Sequence, residues 1–302
     1  MFPASNDSQT IIDCFLSLAV QFRIVIKTRH EVLAVHKTPD LFLVKTNQGD
    51  FEAGSLICAL GGHHKLSAYQ PLIDLGHRIH PPIPSLFTFN LPQEPIKNEL
   101  QGLSVQQAGI SIAGSKLRYS GPVLVTHWGL SGPAILKLSA FAAIEFFEAA
   151  YHATILVNWA DPLTGSEVEQ ALKKLQLEKH RALPYSNPAF NLPKRLWEFL
   201  CAKVGITNSR PWAEISRKQL NGLVAAIGNG PFTMEGKTTF KEEFVTCGGI
   251  DLKEVDFKTM QSKLVPGLFF CGEVLHVDGI TGGFNFQSAW STAWICANSC
   301  DA

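Results

Sequence analysis

The sequence predicts a two-part α/β chain, with a strand-and-glycine-loop framework interrupted by a second domain of short strands and helices. Three observations carry this expectation. The tail VPGLFFCGEVLHVDGITGGFNFQSAWSTAWICANS reads as a buried strand, a glycine-rich loop and a helix. Earlier, SLICAL is an unbroken apolar run closed by Gly61-Gly62, as expected of a central strand whose end meets a ligand or a close backbone. Between them, at PPIPSLFTFNLP, proline enrichment marks a boundary near residue 82, because proline has no place in the middle of a sheet. The expected division is 1–82 with 246–302 as one domain and 83–245 as the insert.

Composition narrows the function classes. With 302 residues, 46% of them hydrophobic and only 17% charged, the chain has the material for a sizeable core. Its 26 basic and 26 acidic side chains balance, which argues against a nucleic-acid partner, since such a footprint needs clustered excess Lys and Arg. No apolar run approaches the roughly 18 residues of a membrane span, and the first residues lack the pattern of a secretory signal. Seven scattered cysteines without a C-x-x-C pair read as free thiols in a reducing cytoplasm, and no cysteine–histidine set has zinc spacing. His63 and His64 are adjacent, and on a strand they would face opposite ways and make a poor chelate.

Taken in order, residues 8–22 place apolar side chains on one helical face behind Asp7 or Ser8 as cap. RIVIK and the run after Glu31 are two β-type runs, followed by strands on either side of the NQGD turn and then SLICAL. The insert opens with SLFTFNL, LSVQQAGISIAG and KLRYSGPVLVTH as strands. Ser131-Gly132-Pro133 then starts a helical run, with Ser131 as its expected cap. HATILVNWA is a strand, three helices are expected near 165–177, 193–204 and 216–227, and the β-rich GKTTFKEEFVTCGGI leads out. Trp128, Trp290 and Trp294 read as core. His127 is the best polar candidate for a catalytic role in the insert.

In the tail, a strand end, glycines and a helix N-terminus together make a cradle for a polar ligand. Free N–H groups and the positive end of the helix dipole point into it, and Gly282-Gly283 let a flat ligand approach the backbone.

The same residues carry a resemblance. Leu264–Gly272, Glu273-Val274-Leu275, Val277-Asp278-Gly279 and Thr281-Gly282-Gly283-Phe284-Asn285 follow the C-terminal signature of the BaiN-like and aminoacetone-oxidase-like FAD-dependent flavoproteins. Thr246-Cys247-Gly248-Gly249-Ile250, Thr126–Pro133, Leu192–Leu196 and the opening Phe2-Pro3-Ala4-Ser5 fit the same family. The resemblance implies a sheet of the glutathione-reductase type carrying an inserted, barrel-like plus helical domain on the substrate side. It implies FAD as cofactor, with NAD(P)H or a small organic molecule exchanging two electrons with it. By the same resemblance, the backbone at Gly282, Gly283, Phe284 and Asn285, beside Thr281, would face the pyrimidine end of the flavin ring. Gly272 and Glu273 would lie at the ribityl and phosphate region, and Thr246, Cys247 and Gly248 near the ring. Gly61, Gly62 and Val32 would lie along the ADP part.

The sequence departs from that family in three ways. After Gly61-Gly62 the stretch HHKLSAYQPLIDLGH is shorter than the family's Gly-rich loop and lacks its glycines, which bears on the contact expected there. No G-x-G-x-x-G occurs, although such proteins hold pyrophosphate and ribose with one. The expectation is therefore a chain lacking its N-terminal nucleotide-binding unit, which a separate polypeptide could supply. The alternative is a non-catalytic remnant or interaction module of the same fold that has lost FAD. At position 276 the family usually has Asp and this chain has His276, a group able to titrate near neutral pH.

Overall fold

A computed structural model describes residues 3–238 and 245–300. Phe2 of the opening motif, and residues 239–244 of the β-rich exit from the insert, lie outside them. The chain divides into two compact units, Met1–Pro82 with Gly248–Ala302, and Ile83–Cys247. Thr246 and Cys247 thus belong with the second unit.

The first unit opens with α1 (Gln9–Gln21), whose start is held by Asp7, its carboxylate accepting the Gln9 N–H at 2.9 Å. RIVIK, expected as a strand, is not one. The Ile24 N–H turns back to Ala19 O at 2.8 Å, Arg23 sits at φ 55°, and Ile24, Val25 and Ile26 stay exposed. A run of β-branched residues supplies strand propensity, but a strand also needs a partner, and this segment has none among the described residues.

β1 (Val32–Lys37), β2 (Phe42–Thr46) and β3 (Gly49–Ala53) form an antiparallel meander. Gly49 supplies the φ of 123° at the NQGD turn. β4 (Leu56–Cys58) follows, then the short α2 (Gln70–Asp74) and β5 (Ile79–Ser85). β5 contains three prolines and lies in a two-stranded ribbon, where no strand is central.

In the second unit β6 (Thr88–Asn90), α3 (Ile96–Glu99), β7 (Ser104–Ile112), β8 (Arg118–Val125) and β9 (Gly129–Ser131) come first. The expected single helix after Pro133 is two, α4 (Pro133–Phe141) and α5 (Ala143–Glu148), separated at Ala142. Ser131 does not cap α4, whose N-cap is Gly132; its hydroxyl accepts a hydrogen bond from Thr88 at 3.0 Å. β10 (His152–Asn158), α6 (Gly165–Glu178), α7 (Lys194–Lys203), α8 (Arg217–Asn229), β11 (Gly230–Glu235) and β12 (Lys237–Thr238) complete the unit.

Its sheet runs β11-β10-β7-β8-β9-β6-β12. The two ends of that order are consecutive in sequence, joined at Gly236 with φ 91°. α6 and α8 each open with a reciprocal capping box, Thr164 with Glu167 and Ser216 with Gln219. Trp159, Trp197, Trp212, Phe87, Phe89 and Phe232 anchor the core.

The chain returns to the first unit through β13 (Val245–Ile250), partner of β5, and then β14 (Val255–Asp256), β15 (Gln261–Ser262), β16 (Leu268–Phe270) and α9 (Phe284–Cys300). β16 pairs in parallel with β4, Leu268 opposite Leu56 and Phe270 opposite Cys58. His77 pins this layer from within, one ring nitrogen 2.9 Å from the Glu254 carboxylate and the other 3.0 Å from the Ser262 hydroxyl. Trp290 and Trp294 are not core: they are 52% and 74% exposed on α9, and Trp128 is 46% exposed on a turn. Helical spacing put them on one face, but spacing does not say whether that face is covered.

Candidate functional site

The parallel pair marks the place in this fold where a ligand is expected. In α/β sheets ligands sit beyond the carboxyl ends of parallel strands, and here those ends are Gly61-Gly62 after β4 and Gly272-Glu273 after β16. The Cys271 N–H extends the ladder to Cys58 O at 3.1 Å, so the chain segments carrying Gly61-Gly62 and Gly272-Glu273 leave the sheet from adjacent strand ends. Gly61 has φ 73°, and a Cβ added there would meet no atom within 4 Å, so open space adjoins it. Gly272, φ 76°, would bring a Cβ only against the Ala289 methyl, at 3.8 Å.

Two residues that no sequence motif marks hold these ends in place. The Tyr69 hydroxyl accepts the His63 N–H at 3.0 Å, and burial, with the nearby Glu273 charge, raises its pKa and keeps it protonated. The Thr292 hydroxyl of α9 accepts the Gly272 N–H at 3.0 Å. Neither contact joins neighbours in sequence. His63 and His64 do not point apart, because they lie in an irregular segment rather than a strand; their rings stack at 4.7 Å.

The loop between Glu273 and α9 is closed by Asn285. Its amide donates to Gly279 O at 3.1 Å and accepts the Gly279 N–H at 2.7 Å. The side chain of Asn285 is thus spent on the loop, leaving its backbone N–H for a ligand. Gly282 and Gly283, at φ 112° and 90°, turn the chain into α9 beside the exposed Thr281 and Phe284. The first N–H groups of any helix lack intrahelical acceptors, and here the bond from Gln287 N–H to Gly283 O at 2.9 Å marks where the ladder of α9 begins. Asn285→Ala is expected to lower stability by about 2 kcal/mol through loss of this pair of bonds. Urea unfolding measures it, and an unchanged midpoint would show that the clamp does not hold the loop.

β13 supplies a further wall of the first unit. Gly248 (φ 136°) and Gly249 (φ 119°) are glycines because backbone crowds them: a Cβ would lie 2.7 Å from Pro81 O at Gly248 and 2.5 Å from Val274 O at Gly249. Next to them His276 packs edge-on to His80, centroids 4.2 Å apart, and the His80 Nε2 lies 3.4 Å from the Asp251 carboxylate. The Nδ1 of His276 is buried with no hydrogen-bond partner. In the second unit, Thr246 has a buried hydroxyl with no partner, and Cys247 is buried. Val32 opens β1 opposite Thr46. His127 lies on the β8–β9 turn, where the Thr126 hydroxyl accepts the Trp128 and Gly129 N–H groups and the His127 ring sits 4.5 Å from Trp128.

The histidine pair gives the site a pH signature. Half-burial lowers the pKa of His276, the neighbouring His80 adds to this, and Asp278 and Asp251 oppose it. Asp251 is held below its usual range by the Lys253 backbone N–H, then by His80 and Arg78, so it stays anionic throughout. For a histidine with a depressed folded-state pKa, stability is full above the unfolded value of about 6.5 and is lost as pH falls below it. The thermal midpoint is therefore expected to fall between about pH 7 and 5.5, and to fall less in His276→Gln. Equal slopes for the two proteins would rule the pair out as the cause.

Among the described residues no group of three His, Cys, Asp or Glu side chains is placed to hold a metal, and no helix is long and apolar enough to cross a membrane. The described cysteines form no disulfide; Cys58, Cys201, Cys247, Cys271 and Cys296 are buried, and Cys14 is exposed.

Comparison with known proteins covers nearly the whole chain. Residues 1–299 match the family described as HI0933-like protein Rossmann domain. A ribosomal RNA dihydrouridine synthase of Haemophilus influenzae is 30% identical over 303 residues, spanning 97% of this chain and 72% of the relative. The protein of the same name from Escherichia coli is 31% identical over 309 residues, with the same coverage. A 3-dehydro-bile acid delta(4,6)-reductase of Clostridium scindens is 24% identical over 311 residues, spanning 99% of this chain and 75% of the relative.

Proposed function

The chain belongs to the HI0933-like Rossmann-domain family, and from that premise we propose that it serves a flavin-dependent reductase that adds two hydrogens across a carbon–carbon double bond. The observation that carries this reading is the clamped glycine loop, seated at the carboxyl ends of a parallel strand pair and running into the N-terminus of α9. The names of the relatives support it, since dihydrouridine formation and a delta(4,6) reduction are both additions of two hydrogens.

The residues suit the ring and ribityl end of FAD. Open space beside Gly61 and Gly272 admits a flat group, and the loop glycines bring backbone N–H groups within its reach. When bound, a flavin would supply hydride chemistry with NAD(P)H as the source of electrons. The N-terminus of α9 would favour negative charge on a group seated against it. Glu273 would line the ribityl side, with the protonated Tyr69 bracing the strand end behind it, and the exposed Phe284 and Trp290 of α9 would offer apolar surface to exclude water. His127, exposed on its turn, is the proposed substrate-facing group of the second unit.

The test is to incubate the chain anaerobically with FAD, NADPH and either a uridine-containing RNA or a steroid dienone, and to weigh the product. A flavin-dependent gain of two hydrogens in either substrate supports the reading; no gain in both overturns it.

A further inference from the structure

The balanced charge of the chain conceals a strong local asymmetry. Residues 164–218 hold ten Lys and Arg against five Glu, so the rest of the chain carries the compensating acidic excess. The helices of this segment gather the cations at one end. α6 and α8 run antiparallel: Gly228 packs on Gly165 at one end, and at the other the Gln176 amide donates to Trp212 O and Ile215 O, both at 3.0 Å. Backbone bonds from Trp212 N–H to Ala182 O at 3.0 Å and Ala213 N–H to His180 O at 2.9 Å lay the two connecting segments side by side. Within that end, residues 173–181 and 212–218 carry six Lys and Arg against two Glu.

Lys179, His180, Arg181, Arg217 and Lys218 are all exposed there, and Leu177 stands 79% exposed among them. The ion pairs of α6 use Lys173 with Glu169 and Lys174 with Glu178; Arg217 also faces the Glu169 charge, while Lys179, Arg181 and Lys218 belong to none of the ion pairs among the described residues. Their placement works against the fold. Arg217 and Lys218 occupy the first turn of α8, which contains no acid, although the positive end of a helix favours acids and disfavours cations. Cations kept where they weaken their own helix have a use elsewhere.

We infer that the exposed end of the α6–α8 pair is a docking surface for the phosphate backbone of a structured RNA, the polymer whose uridines the proposed reductase would act on. Identifying the RNA as substrate rests on that reading; the docking itself does not. Lysine and arginine fit phosphates in the number available here, and an exposed leucine suits a sugar or base face. Phosphate contacts of this kind position a substrate without reading its sequence.

The test uses the chain without added flavin and a fluorescein-labelled RNA hairpin with a uridine-containing loop, followed by anisotropy. Four phosphate contacts predict a loss of affinity on the order of 100-fold between about 50 and 200 mM salt. Arg217→Glu with Lys218→Glu, and Lys179→Glu with Arg181→Glu, are each expected to weaken binding at least about tenfold and to flatten the salt dependence. The first pair should leave the thermal midpoint nearly unchanged, because acids suit the first turn of α8 while position 217 gives up its attraction to Glu169; the neutral Arg217→Gln, Lys218→Gln variant guards against a folding artefact. Unchanged RNA affinity in both charge-reversed variants overturns the proposal, as does equal binding of phosphatidylserine vesicles or polyglutamate. If RNA binds as expected while flavin does not, the reductase reading fails and this one stands.

Discussion

Gly249→Ala is expected to destabilise the first unit by about 2–6 kcal/mol. At φ 119° an alanine is strained whatever the space, and its Cβ would stand 2.5 Å from Val274 O and 2.9 Å from the Leu275 carbonyl carbon. Neither neighbour is free to retreat, because Ile250 bridges Leu275 in parallel and the His276 N–H donates to Ile250 O at 3.1 Å. Backbone strain of about 1–3 kcal/mol and overpacking of about 1–3 kcal/mol add to a sizeable part of a typical domain's stability. Gly76→Ala is the control, since Gly76 also has positive φ (92°) but no atom within 4 Å of the added methyl. It should cost about 1 kcal/mol. Thermal and urea unfolding followed by circular dichroism compare the two, and similar losses for both would mean that the contact with the 274–275 backbone is not tight.

The second large effect falls on binding rather than stability. The double substitution Gly282→Ala, Gly283→Ala puts methyl groups on two residues at φ 112° and 90° in an exposed loop. The loop must leave its conformation to relieve about 1–3 kcal/mol at each residue. The N–H groups before α9 then no longer converge, and flavin affinity is expected to fall on the order of 100-fold, with the thermal midpoint moved by only a few degrees. Isothermal titration with FAD, beside a melting curve, separates the two quantities. Undiminished affinity would remove the glycine pair from the site.

Much of this architecture was legible in the sequence because it depends on local chemistry. LFFCG, the loop glycines and the helix after them needed only apolar runs and backbone freedom to be read, and β16 and α9 stand where they indicated. The capped helices of the insert were equally local. What was missed depends on distant partners. RIVIK has the β-branched composition of a strand but no strand beside it among the described residues, and Trp290 and Trp294 have the spacing of a buried face that the described residues leave uncovered. Ser131 bonds to Thr88, forty-three residues away in the chain, rather than to the helix beside it. The bracing of the site by Tyr69 and Thr292 was illegible for the same reason. Neutrality over 302 residues is likewise a whole-chain property, and the local excess of cations at the end of α6 and α8 shows only when segments are counted separately.

The central claim is that the clamped glycine loop of this chain recognises a flavin. The most direct measurement is a difference absorption spectrum of FAD titrated with the purified chain, repeated with the Gly282→Ala, Gly283→Ala variant. The account predicts saturable shifts of the flavin bands with the native chain and their loss with the variant. A spectrum identical to free FAD at every protein concentration would contradict it, and would leave the chain as a module of this fold without its cofactor.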